Sequence, residues 1–219
     1  NNTGTTNVNA GRFRMTGGGT SNGNFNVANG AVLDFNNGTH NLNAATIAGA
    51  GTTEISGSTG FNSVNLNGGT LSSALLISGG NLQGADHTLS GPVTWTAGNI
   101  RGGASTTMAS SLAISGAGSK GLTGGRVLNA TDTTTWGSNT AANNNAIVFS
   151  GSGTINNSGS WSDTNAFASY MQDFTGTNTF NNTATGTFNK QGSAITTMEV
   201  VYNNTGTTNV NAGRFRMTG

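Results

Sequence analysis

Seven carboxylates, eight cations and two histidines make up the ionisable side chains of this 219-residue sequence, and their spacing decides which chemistry is open to it. Paired acids come first. Asp34 and Glu54 are spaced so that a coiling chain brings them close, and a loop returning between Asp163 and Asp173 would do the same for that pair. Glycoside hydrolysis needs two carboxyls in a cleft with their pKa values pushed apart. Here Asp34, Glu54, Asp86, Asp132, Asp163, Asp173 and Glu199 are scattered singly, the pattern of solvated corners, and no catalytic residue is assigned. Metal chemistry fares no better. His40 and His87 each stand two positions before a leucine, 47 residues apart, which fits hydrogen-bonded structural residues rather than a shared ligand set. With no cysteine there are neither disulfides nor thiolate sites. Glycine clusters such as Gly17-Gly18-Gly19 and Gly68-Gly69 lack the strand-to-helix setting of a phosphate loop, and no calcium-binding GGxGxD run occurs. The sequence therefore implies no enzyme and no cofactor.

Two groups of residues remain as surface candidates. Arg12 and Arg14 alternate around Phe13, and the same trio returns as Arg214, Phe215 and Arg216. They read as an outer strand face, or as a recurrent contact between fibres. Trp136, Trp161 and Tyr170 lie in a segment that concentrates the chain's aromatic residues, a surface suited to glycans. Only 7% of the residues are charged and the net charge is +1, against roughly a quarter charged in an average soluble protein. Nothing here would attract nucleic acid. No apolar run reaches the roughly 20 residues of a membrane helix.

The elements that must position these groups are strands. Asn7-Val8-Asn9, Asn24-Phe25-Asn26, Asn41-Leu42-Asn43, Asn65-Leu66-Asn67, Asn81-Leu82-Gln83 and Asn99-Ile100-Arg101 each set one apolar residue between polar ones, and their centres are separated by 17, 17, 24, 16 and 18 positions. Polar–apolar alternation is the signature of a strand with one buried face. Glycine-rich corners separate the strands, and no stretch keeps the helical i, i+3, i+4 spacing. A single proline, Pro92, suits a chain made of hydrogen-bonded ladders. The reading is all-β, a right-handed parallel β-solenoid with essentially no α-helix, in which Asn7, Asn9, Asn24, Asn26, Asn41, Asn43, Asn65 and Asn67 sit at corners or in amide ladders.

One duplication sets the larger organisation. Asn1 to Gly17, NNTGTTNVNAGRFRMTG, recurs letter for letter at Asn203 to Gly219, 202 positions on. Residues 1–202 thus read as one repeat of roughly ten or eleven coils, and 203–219 as the start of the next. Within the repeat, 1–131 keeps a regular rhythm, while 132–202 implies larger, aromatic-rich coils or an insertion. Neither end reads as a cap, so the expected partner is another copy, in a covalent tandem array or docked end to end.

Read across the junction, the run TFNNTATGTFNKQGSAITTMEVVYNNTGTTNVNAGRFRMTG, and separately the run TWTAGNIRGGASTTMASSLAISGAGSKGLTGGRVLNATDTTTWG, resemble the tandem arrays of giant bacterial surface proteins. These are similar in style to autotransporter passengers and filamentous-haemagglutinin-like exoproteins. The resemblance implies export to the bacterial cell surface and a role in fibre, sheath or stalk formation. It also leaves an alternative, an adhesin whose solenoid is a spacer or binds surface glycans, and a third reading, a polysaccharide-degrading β-helix enzyme, which ranks last.

Overall fold

The computed structural model describes all 219 residues, and in it the chain forms 28 short strands and no helix. Each strand lies parallel to one a single coil later. Thr5–Val8 pairs with Asn24–Val27, Arg12–Met15 with Val32–Phe35, and Gly19–Ser21 with Gly38–Asn43. Three faces result. The first is a ten-stranded sheet that begins with Thr5–Val8 and ends with Val201–Asn204. The second runs from Arg12–Met15 to Thr207–Val210, and the third from Gly19–Ser21 to Arg214–Met217. Two long strands, Ala74–Gly84 and Val93–Arg101, pass through the corner and belong to both the second and third faces. The chain is therefore a parallel β-solenoid of about ten turns.

The alternation read from the sequence explains how the faces are built. In Asn24–Val27 the two asparagines are exposed while Phe25 and Val27 are buried, as expected of a strand whose successive side chains point to opposite sides. Stacking the coils turns these inward positions into columns. On the second face one column reads Met15, Phe35, Ile55, Ile77, Trp95, Ile114 and Trp136, then Asp163 and Lys190, then Val210. The apolar members of the three faces merge into one core cluster of 36 buried residues.

Coil length varies along the axis. Leu71 stacks on Leu89, 18 residues later, whereas Val127 stacks on Thr154 and Thr133 on Ser160, each 27 residues later. The additional chain goes largely into the corner between Trp136 and Ile147, after which the strands resume their register. Residues 132–202 are thus continuous coils rather than a separate insertion.

Trp136, Phe149, Trp161, Phe180 and Phe188 of this part face inward, while Phe167 and Phe174 are exposed. Trp161 meets Phe180 edge-on at 5.1 Å, Phe180 meets Phe188 at 5.7 Å, and Phe188 meets Phe215 at 5.1 Å. The wide coils enclose more volume, and large rings fill it.

Candidate functional site

The densest group of charges lies on the outer side of the second face, where Arg14, Asp34 and Glu54 occupy one register position in three successive coils. Arg14 Nε donates to Asp34 Oδ2 at 2.8 Å, and Arg12 Nη1 bridges Asp34 Oδ2 at 2.8 Å and Glu54 Oε2 at 2.5 Å. Ser56 donates to Asp34 and Ser78 to Glu54, both at 2.6 Å. Burial raises the Asp34 pKa, but the hydrogen bonds from Ser56, Arg12 and Arg14 outweigh it and hold the carboxyl below its ordinary value. The two acids expected to approach one another do so, but every strong donor nearby already engages them. Such a pair is a clamp between coils, and in it Asp34 is held in its ionised form.

Asp163 and Asp173 have separate surroundings. Asp173 is exposed and accepts from Asn178 Nδ2, whereas Asp163 faces the core. The reading of the acids as solvated corners fails for Asp34 and Asp163, which are both fully buried, and for Glu54, which is largely buried. Asp163 Oδ2 lies 3.7 Å from Lys190 Nζ, both side chains being inaccessible to solvent. Its Oδ1 accepts from the Asn165 backbone at 3.1 Å and from Asn165 Nδ2 at 3.0 Å, and Thr196 donates to the other oxygen. Burial lowers the Lys190 pKa while Asp163 opposes the shift.

The one concave site is a polar groove of about 350 Å³ on the first face, lined by Gly68, Gly69, Thr70, Asp86, His87, Thr88, Ser105 and Thr107. Asp86 Oδ1 accepts from both the backbone and the hydroxyl of Ser105, at 2.7 and 2.9 Å. His87 turns inward, its Nε2 3.1 Å from Thr106 Oγ1 and its Nδ1 3.0 Å from Nη2 of the buried Arg126. The serine thus bonds the aspartate rather than the imidazole, and the hydroxyl that does face the imidazole, Thr106, is fully buried and accepts from Arg126 Nε at 2.9 Å. Burial, and then the Arg126 charge, push His87 down to about 4.

A histidine held below its unfolded pKa binds fewer protons folded than unfolded. Its contribution is therefore complete above pH 6.5 and is lost as the pH falls towards 4. His87 accounts for up to about 3 kcal/mol of that loss. Thermal melts from pH 7 to 4 will show the decline, and His87→Gln will flatten it. An unchanged slope in the variant would show that the imidazole is not buried beside Arg126.

Of the remaining candidates, some asparagines pair across coils. Asn26 donates to Asn7 at 2.9 Å, Asn65 to Asn41 at 2.6 Å, and Asn67 to Asn43 at 3.0 Å. The side chains of Asn9 and Asn24 make no such bond. Asn65, expected in a ladder, continues to Gln83 and Arg101 of the next two recurring units, and a second ladder not read from the sequence, Asn129, Asn156, Asn181 and Asn203, runs up the first face at 2.8–2.9 Å. The signal for the second was the polar third residue of each strand, hidden by the unequal coils of 27, 25 and 22 residues between its members.

Trp136 and Trp161 are corrections to the surface reading. Both are fully buried, because each occupies an inward position of its strand. Tyr170 is half-buried, while Arg12 and Arg14 are partly exposed. No cluster of metal-ligating residues occurs. Compared with protein-family models, curated proteins and solved structures, the chain matches none of them.

Proposed function

We propose that the chain is a structural, non-enzymatic repeat of an extracellular protein that builds a fibre, sheath or stalk on the bacterial surface by end-to-end stacking of solenoid repeats. One observation carries this reading: the duplicated segment forms the same two strands at both ends of the rod, Thr5–Val8 and Arg12–Met15 in one copy, Thr207–Val210 and Arg214–Met217 in the other. Parallel ladders run along the whole axis, amide side chains reinforce them, and the buried acids serve as ties between coils. Low charge and the absence of cysteine suit durability outside the cell. The chain's own copies are the partner, and neither nucleic acid, membrane insertion nor a cofactor enters the mechanism.

The adhesin reading retains a narrower base than the sequence offered it, the exposed rings of Phe167 and Phe174 flanking Tyr170. Electron microscopy of native material distinguishes the two. A fibre-former will give filaments without any added ligand, with an axial period of about 45 Å per repeat at ordinary strand spacing. Discrete particles that bind surface glycans, and lose binding on Phe174→Ala, would replace it with the adhesin.

A further inference from the structure

The duplicated segment is seen in two complementary settings. In the first copy a coil lies above it, and in the second a coil lies below. From above, Arg12 and Arg14 hold Asp34 and Glu54, and Val8 is buried. From below, Phe215 packs on Phe188 and Tyr202, and Asn209 donates to Asn189 at 2.9 Å. What one copy lacks the other has. Phe13, the counterpart of Phe215, is 43% exposed, and Val210, the counterpart of Val8, is 53% exposed. Arg214 and Arg216 are exposed and have no carboxylate partner. The backbone is the same in both places, with the corner glycines Gly11 and Gly213 each at φ +67°, a conformation that other residues rarely adopt.

The two copies do not lie on the same face. Thr5–Val8 is on the first face and Thr207–Val210 on the second; Arg12–Met15 is on the second and Arg214–Met217 on the third. The tenth strand of the first face is Val201–Asn204, so the chain makes nine turns and one further face between the copies, 28 faces in all. That number is not a multiple of three.

We propose that a following copy of this repeat seats its first new coil on the edge formed by Val201–Asn204, Thr207–Val210 and Arg214–Met217, and that each repeat is turned by a third of a revolution from the one before. The partner is a second copy of this chain. Its counterparts of Asp34 and Glu54 are received by Arg214 and Arg216, and its counterpart of Phe25 covers Thr208 on the second face. The inference rests on the fibre reading for its biological setting, but its geometry is tested separately. After three repeats every surface feature returns to its starting face, so any ligand or neighbour meets the same patch in three directions.

Paired cysteines test the phase within the chain itself. Asn189 and Asn209 are directly opposite in register, a separation that a disulfide spans, so Asn189→Cys with Asn209→Cys will cross-link under mild oxidation. Asn181→Cys with Asn209→Cys reports the arrangement in which the copy returns to the first face, and it will not. Cross-linking of the second pair, or of neither pair in a chain that keeps its β circular dichroism, overturns the proposal.

The chain lengthened by two further repeats, with Phe61→Cys in each repeat bearing an electron-dense label, gives an independent readout by cryo-electron microscopy. Successive labels will be about 45 Å apart along the axis and a third of a turn apart around it; labels in line overturn the phase. The fibre reading fails separately, if native material contains no filaments while the labels still step around the rod.

Discussion

Lys190→Met will destabilise the chain by about 3–5 kcal/mol, the cost of leaving a buried carboxylate without its counter-charge. Asp163 cannot reach water by a change of rotamer, because it sits in the inward column between Trp136 and Lys190 with no solvent access. Methionine fills the space of the lysine but offers no positive charge, and the Lys190 donation to the Gly192 carbonyl is lost as well. At roughly 2–4 °C per kcal/mol for a chain of this size, the melting temperature will fall on the order of 10 °C.

The companion variant separates charge from packing. Asp163→Leu with Lys190→Met removes both ions, and the side chains that bonded the aspartate have other partners, Asn165 Nδ2 reaching the Trp136 carbonyl at 3.2 Å and Thr196 lying 3.1 Å from Ser169, while the Asn165 backbone N–H loses its acceptor. Replacing both members of a buried pair with apolar groups is often neutral or stabilising, so the double variant will be more stable than Lys190→Met alone and fall short of the parent by about 1–3 kcal/mol, the cost of the orphaned Asn165 N–H. Denaturant titration measures both. A single variant as stable as the parent would mean that the two charges reach solvent.

The second large effect separates core from surface. Trp161→Ala will cost about 3–5 kcal/mol, as expected for deleting a buried tryptophan and leaving a cavity, whereas a surface-exposed ring would give a change within about 0.5 kcal/mol. Conservative variants refine the comparison. Trp161 Nε1 has no hydrogen-bond partner, so Trp161→Phe removes an unsatisfied donor together with some volume. Trp136 Nε1 donates to the Asn145 carbonyl at 2.8 Å, so Trp136→Phe also orphans a buried acceptor. The Trp136 variant will be the less stable of the two by about 1–2 kcal/mol. Equal losses, or resistance of the protein to Trp161→Ala, would put the rings elsewhere.

Those two tryptophans also mark where the sequence stopped being legible. Strand class and stacking followed from short polar–apolar alternations and glycine corners, because a half-buried strand can hardly be built another way. The inward face of Ser160–Asp163 was a different matter. Trp161 and Asp163 share one side of that strand, and a carboxylate beside a ring reads as surface until its cation is known. Lys190 lies on the next coil, 27 residues on, and nothing local in the sequence announces a coil of that length. Arg12 and Glu54 pose the same problem across 42 residues. Contacts within a coil follow from alternation, whereas contacts between coils depend on the number of residues in every corner that separates them.

Those unequal corners also set how the rod gives under tension. If a coil is peeled from the end of the stack, it releases a tether as long as its own chain, at roughly 3.3–3.6 Å per residue. The 18-residue coil after Leu71 yields about 60 Å of slack, and the successive 27-residue coils after Thr133 and Ser160 about 90 Å each. The chain thus stores extensible length in graded portions, released one coil at a time.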